Sequence, residues 1–118
     1  MNNVMSIALY YNDAVIFVVD AADIERIDDA KTALHQVFEA EELVDSNLLV
    51  FANKQDQPNA ISVKELRQRM GLENVTMNAT HVQACVATTG DGMYEGLDWL
   101  AEAVTQNISI ERPKINLY

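Results

Sequence analysis

Leu48-Leu49-Val50-Phe51-Ala52-Asn53-Lys54-Gln55-Asp56 sets five apolar residues directly against a polar tetrapeptide. The apolar half does not alternate with polar residues. Such a run reads as a strand buried on both faces, as in a parallel sheet. The polar half then leaves the carboxyl end of that strand and is broken by Pro58. Upstream, Ala14-Val15-Ile16-Phe17-Val18-Val19-Asp20 is a second run of the same kind, closed by an acid. Downstream, Thr80 to Ala87 is a third strand candidate. It runs into Thr88-Thr89-Gly90-Asp91-Gly92, a loop of turn formers.

Between the strands the period becomes helical. Ile24, Ile27, Leu34, Val37 and Phe38 share one stripe from Ile24 to about Ala40, with Asp23 as the expected N-cap. Ser62-Val63-Lys64-Glu65 has capping-box spacing, and Gly71 stands where a helix of that length ends. The last helix is expected over Met93 to Gln106. Its apolar stripe is Tyr94, Leu97, Leu100, Ala101 and Val104, with Trp99 partly buried. Strand and helix alternate three times. That order predicts a three-layer α/β fold with a mostly parallel sheet and right-handed crossovers. In such folds ligands sit beyond the carboxyl ends of the strands, where loops 53–59 and 88–92 both open.

Length and composition bound the function. The chain has 118 residues, one domain by size, with 8 Lys plus Arg against 18 Asp plus Glu and a net charge of −10. That balance argues against nucleic acid and against docking on anionic lipid through a basic face. Cys85 is the single cysteine, which excludes an internal disulfide or a multi-cysteine zinc site. A reduced compartment, the cytoplasm, is therefore expected. The longest apolar run, Ala14 to Val19, is far short of the ~20 residues of a spanning helix. With Asn2 in place of a glycine and no terminal prenylation box, no membrane anchor is expected within this chain. His35 and His81 stand apart from any spaced acid or thiol cluster, so no metal site is expected. The acids Glu39, Glu41, Glu42 and Asp45 read as a solvated helix end.

The two loops carry the chemistry. A carboxylate such as Asp56 accepts two parallel N–H bonds. Guanine offers that pair on N1–H and its exocyclic amine, and adenine does not. Asn53 can bridge a base edge and the loops, and Lys54 can lay its methylene stem on the base. Val86-Ala87-Thr88 leaves the third strand at the same rim. There the small Ala87 lets its N–H approach a purine O6. The plainer alternatives are a solvated turn at 53–56 and a helix-capping hydroxyl at Thr88.

Asn53-Lys54-Gln55-Asp56, Pro58-Asn59-Ala60, Gln83-Ala84, Ala87-Thr88 and Gly90-Asp91-Gly92 with Tyr94-Glu95-Gly96-Leu97-Asp98-Trp99-Leu100 together resemble the ADP-ribosylation factor family of small GTPases. Ile16 to Asp20, with Asp23 and Glu25-Arg26, is similar to that family's fourth strand and the start of the next helix. The resemblance spans about residues 13–106. It implies a partial P-loop NTPase G domain, comprising the family's fourth to sixth strands and their helices. Residues 1–12 are then a non-matching segment, 13–107 the domain and 108–118 a tail. It also implies that Asn53, Lys54, Asp56, Val86, Ala87 and Thr88 bind the base of GTP or GDP. Val86 stands where relatives usually carry cysteine, and Gln57 replaces a usual leucine.

The family role would be vesicle-mediated traffic at Golgi or other endomembranes, with exchange factors and effectors that these residues do not identify. Mg²⁺ belongs to the family's reaction. Its ligands, the Gly-x-x-x-x-Gly-Lys-[Ser/Thr] loop, the switches and the catalytic glutamine have no counterpart among these residues, since the four glycines are Gly71, Gly90, Gly92 and Gly96. Hydrolysis by this chain is therefore not expected, and base contacts alone would bind nucleotide weakly. The resemblance also leaves Ala14–Asp20 as an exposed apolar edge, inviting self-association or pairing with a partner strand. Residues 5–11 could serve as a substitute strand. The rival reading is a non-catalytic fragment that associates through that edge.

Overall fold

The computed structural model describes residues 14–39, 46–74, 79–107 and 115–118. The expected alternation is present. Strands β1 (Ala14–Asp20), β2 (Asn47–Asn53) and β3 (Ala79–Ala84) alternate with helices α1 (Ile27–Phe38), α2 (Val63–Met70) and α3 (Met93–Asn107), followed by a short β4 (Ile115–Leu117). The sheet order is β3-β2-β1-β4 and every pairing is parallel. From β1 to β3 the chain steps across the sheet in one direction, and to reach β4 it must step back. Right-handed crossovers then require α1 and α2 on one face and α3 on the other.

The packing follows that layout. Val15, Phe17 and Val19 of β1 and Leu48 and Val50 of β2 bury against Ile27 and Leu34 of α1 and Leu66 and Met70 of α2. The alternate residues Ala14, Ile16, Leu49 and Phe51 face the other way, onto Leu100 and Val104 of α3. Covering both faces is why these strands read as unbroken apolar runs.

Local signals set the helix ends. The Ser62 hydroxyl accepts from the Glu65 N–H at 3.1 Å, which satisfies a free donor of the first turn of α2. The reciprocal half of the capping box is absent, because Glu65 pairs with Arg69 at 2.9 Å instead. Gly71 ends α2 in the left-handed region at φ +65°. Asp23 caps differently from the expectation. Its backbone carbonyl accepts from Arg26 N–H at 3.1 Å, while its carboxylate pairs with the Arg26 guanidinium at 3.3 Å. A 3-10 turn at Ile24–Arg26 precedes α1, and it turns Ile24 outward, 39% exposed.

Three further expectations are corrected. The first strand is not an open edge. β4 pairs with it in the register Ala14↔Ile115, Val15↔Asn116 and Ile16↔Leu117. Beyond β4, Tyr118 donates to Ile16 O and accepts from Val18 N–H, and its side chain is 5% exposed within the main core. Residues 115–118 thus cover the edge on which self-association was to rest. β3 ends at Ala84 rather than Ala87, because the chain folds into a turn closed by a Val86–Asp91 bridge. The α3 stripe is also rotated. Gly96, Leu100 and Val104 face the sheet, while Tyr94, Leu97 and Ala101 are exposed. Gly96 controls this, since a Cβ there would sit 2.5 Å from the Phe51 ring. Trp99 is half-buried as expected and stacks on His81 with ring centroids 5.0 Å apart. Residues 5–11, Glu41, Glu42 and Asp45 lie outside the described residues.

Candidate functional site

Parallel strands of one sheet end at one rim, so the loops after β1, β2 and β3 emerge together. Asn53 is the last residue of β2. Its side-chain Oδ1 accepts from the Lys54 N–H at 2.8 Å and from the Ala87 N–H at 2.9 Å. The Cys85 thiol approaches the same oxygen at 3.7 Å. One amide oxygen therefore joins the two loops that the sequence singled out. Gln55 N–H adds a second tie by donating to Cys85 O at 3.2 Å.

Lys54 is the one described non-glycine residue with positive φ, at +65°. For an L residue that conformation costs about 1–2 kcal/mol, so neighbouring contacts must hold it. Its ammonium lies 2.9 Å from Asp20 Oδ2, at the end of β1. Asp20 Oδ1 in turn accepts from Ala22 N–H at 3.0 Å. The hydrogen bond and charge of Asp20 raise the Lys54 pKa above the ordinary lysine value, with smaller contributions from Asp23 and Asp56. Lys54 therefore carries its positive charge while its stem lies along the rim.

The remaining loop is braced from below. Asn59 Nδ2 donates to Ala22 O at 2.9 Å, Gln55 Nε2 to Ile61 O at 3.1 Å, and Ile61 N–H to Ala21 O at 3.0 Å. Asp56 is exposed at the top of this loop, and its carboxylate accepts no hydrogen bond among the described residues. Val86 is half-buried and engaged in the bridge to Asp91. Ala87 and Thr88 are exposed. Thr88 does not cap α3. The neighbouring Thr89 hydroxyl forms the turn instead, accepting from Asp91 N–H at 3.3 Å.

Asn53 ends β2 and the other five expected residues lie on the loops after β2 and β3, all at one rim, with one difference. The Ala87 N–H, expected to face a purine O6, donates to Asn53 here. The Thr88 N–H, by contrast, has no partner among the described residues. The arrangement presents an unengaged carboxylate and an unengaged amide donor, beside the apolar stem of a held lysine. Sequence reasoning passed over Asp20 and Asn59. The signal for Asp20 was an acid closing an apolar strand at the rim; Asn59 gave none beyond its place after Pro58.

Beneath the loops, burial pushes the Cys85 thiol up to about 11. Between pH 9 and 11 the unfolded chain releases this proton and the folded chain keeps it, so stability is full below about pH 9.0 and falls as pH rises through the folded value. Urea midpoints of the parent chain should drop between pH 9 and 11 more steeply than those of Cys85→Ala. Equal slopes would show that the thiol stays accessible to solvent.

Among the described residues, no helix is long and apolar enough to cross a membrane. A family model described as the ADP-ribosylation factor family matches residues 8–104. The match takes in both loops and every described element except α3's last turn and β4.

Proposed function

Because this chain belongs to the ADP-ribosylation factor family of small GTPases, we propose that its rim binds the base of a guanine nucleotide. In this reading Asp56 accepts from N1–H and the exocyclic amine of guanine. The Lys54 stem lies on the ring face. The Thr88 N–H, with the Ala87 N–H shared from Asn53, meets O6, and Val86 holds the second loop in place. The observation that carries the reading is the Asn53 oxygen, which holds the amides of Lys54 and Ala87 within 2.9 Å and so sets both loops around one space. Adenine leaves Asp56 without donors and turns an amine toward an amide donor, so it is rejected by mismatch rather than by size.

The site reads the base and little else. Charge-assisted hydrogen bonds contribute roughly 1–3 kcal/mol each and oppose several kcal/mol of lost ligand freedom. Weak binding of GTP or GDP by this chain follows, with no hydrolysis, since phosphoryl transfer needs a phosphate cradle, a metal and a positioned water. Among the described residues there is no group of three or more His, Cys, Asp or Glu side chains that could hold a metal ion. A role in vesicle traffic at endomembranes, with exchange factors and effectors, is the family's role and is proposed here on membership alone.

An isotope-labelled chain titrated with millimolar guanosine should shift the amides of residues 53–57 and 86–89, and adenosine should not. Asp56→Asn offers a donor and an acceptor, which matches N1–H and the C2 carbonyl of xanthosine. It should lose guanosine by about tenfold or more and gain xanthosine in return. Equal response to guanosine and adenosine, or micromolar GDP affinity of the unaltered chain, would overturn the assignment.

A further inference from the structure

β3 ends the sheet on the side away from β4, with β2 as its one neighbour among the described residues. Cys85, just past its last residue, turns both backbone groups toward β2. It donates to Ala52 O at 3.0 Å and accepts from Gln55 N–H at 3.2 Å. Backbone groups alternate in direction along a strand, so those of Thr80, Val82 and Ala84 point outward. The strand lacks the common guards of an edge, having no lysine, acid or proline. Side chains engage two of its three outward carbonyls instead. Arg67 Nη2, reaching over from α2, lies 3.5 Å from Thr80 O. Gln83 Nε2 donates to Ala84 O at 3.1 Å. The Gln83 amide is oriented from behind, since its Oε1 lies 3.1 Å from His81 Nε2 and the His81 ring stacks on Trp99. Val82 keeps both outward groups without a partner among the described residues.

We propose that β3 is a latent pairing edge held shut by Arg67 and Gln83, and that its partner when open is β3 of a second copy. The strand fits itself. In an antiparallel pair centred on Val82, the two valines exchange both of their outward bonds about a two-fold axis. Thr80 then stands opposite Ala84 of the other copy, and that pair also exchanges both bonds. Their carbonyls are the ones that Arg67 and Gln83 engage, so each copy offers the Val82 carbonyl alone in place of three. Thr80, Val82 and Ala84 are uncharged, so self-pairing sets no like charges opposite each other at these positions.

The test is the mass of the full chain by light scattering, in salt enough to screen the net charge of −10 on each copy. The unaltered chain should hold the mass of one chain as its concentration rises. Arg67→Ala with Gln83→Ala should about double the mass at the same concentrations, and each change alone should give a smaller rise. In the doubled species, hydrogen exchange should slow at the Thr80, Val82 and Ala84 amides. Arg69→Ala is the control. It removes a charge from the same helix, but Arg69 pairs with Glu65 and not with the edge, so the mass should stay that of one chain. Arg67 and Gln83 are half-buried, so unfolding midpoints are followed alongside. If the double variant, or both single variants, keep the parent midpoint and the mass of one chain, the proposal fails. It fails equally if the unaltered chain is already double. A rise shared by Arg69→Ala would assign association to lost charge, and exchange slowed at residues 14–18 instead would assign it to β1; either result overturns the role of β3.

Discussion

Removing residues 115–118 should lower the stability of the chain by about 3–5 kcal/mol and make its mass rise with concentration. Tyr118 is a large side chain at 5% exposure in the main core, and burial of that kind contributes roughly 1.5–3 kcal/mol. The hydrogen bonds to Ile16 O and from Val18 N–H add about 0.5–1.5 kcal/mol each. Deletion also strips the partner from Ala14–Ile16, leaving the unpaired apolar edge that promotes strand addition between chains. Urea unfolding separates the two effects. Tyr118→Ala should lose the burial while the β4 pairing remains, so it should lower the midpoint with little change in mass. Light scattering that shows equal mass for the deleted and full chains would mean that β4 is not what closes this edge.

The second large effect is at Phe51. Phe51→Ala should cost about 3–5 kcal/mol, while Phe51→Leu, which keeps most of the volume, should cost about 1.5 kcal/mol or less. The ring is 1% exposed and is the surface on which Gly96 rests. It also lies two residues before Asn53. Its loss should therefore broaden the amide signals of Lys54 and Ala87 as well as destabilise the chain. A Phe51→Ala chain with native loop signals would show that the rim is held by its own hydrogen bonds and not by the seat of α3. Total stabilities of domains this size are about 5–15 kcal/mol, so either change consumes a large part of the margin.

The parts of the molecule that were legible in the sequence share a physical basis. β1 and β2 announce themselves because both faces are covered, leaving no place for a polar residue between Leu48 and Ala52. Ser62 and Gly71 were legible because a hydroxyl cap and a left-handed terminus are local demands, met by particular residue types. The residue types at the rim were legible for a similar reason. A carboxylate, a small residue and a lysine following buried strands in a parallel sheet are placed by topology before any packing is known.

What escaped the sequence depends on distant neighbours. β4 has three residues, too few to show a period, and it is recognised as a strand by its pairing with β1. The α3 stripe was misjudged because hydrophobic periodicity gives glycine no weight. Yet Gly96 is the residue that allows the closest approach to Phe51, and so it sets the rotation of the helix. The pairing of Lys54 with Asp20 joins the ends of two strands. Neither residue signals the other, and the left-handed backbone at Lys54 has no mark in a residue type that rarely adopts it.

The oxygen of Asn53 has a consequence for motion. Two backbone amides far apart along the chain share it, so neither loop can swing away without withdrawing a donor from an acceptor that the other still uses. Parting the two tips therefore withdraws the Ala87 donor from Asn53, a loss of about 0.5–1.5 kcal/mol, so a ligand that holds either loop in place also opposes the opening of the other.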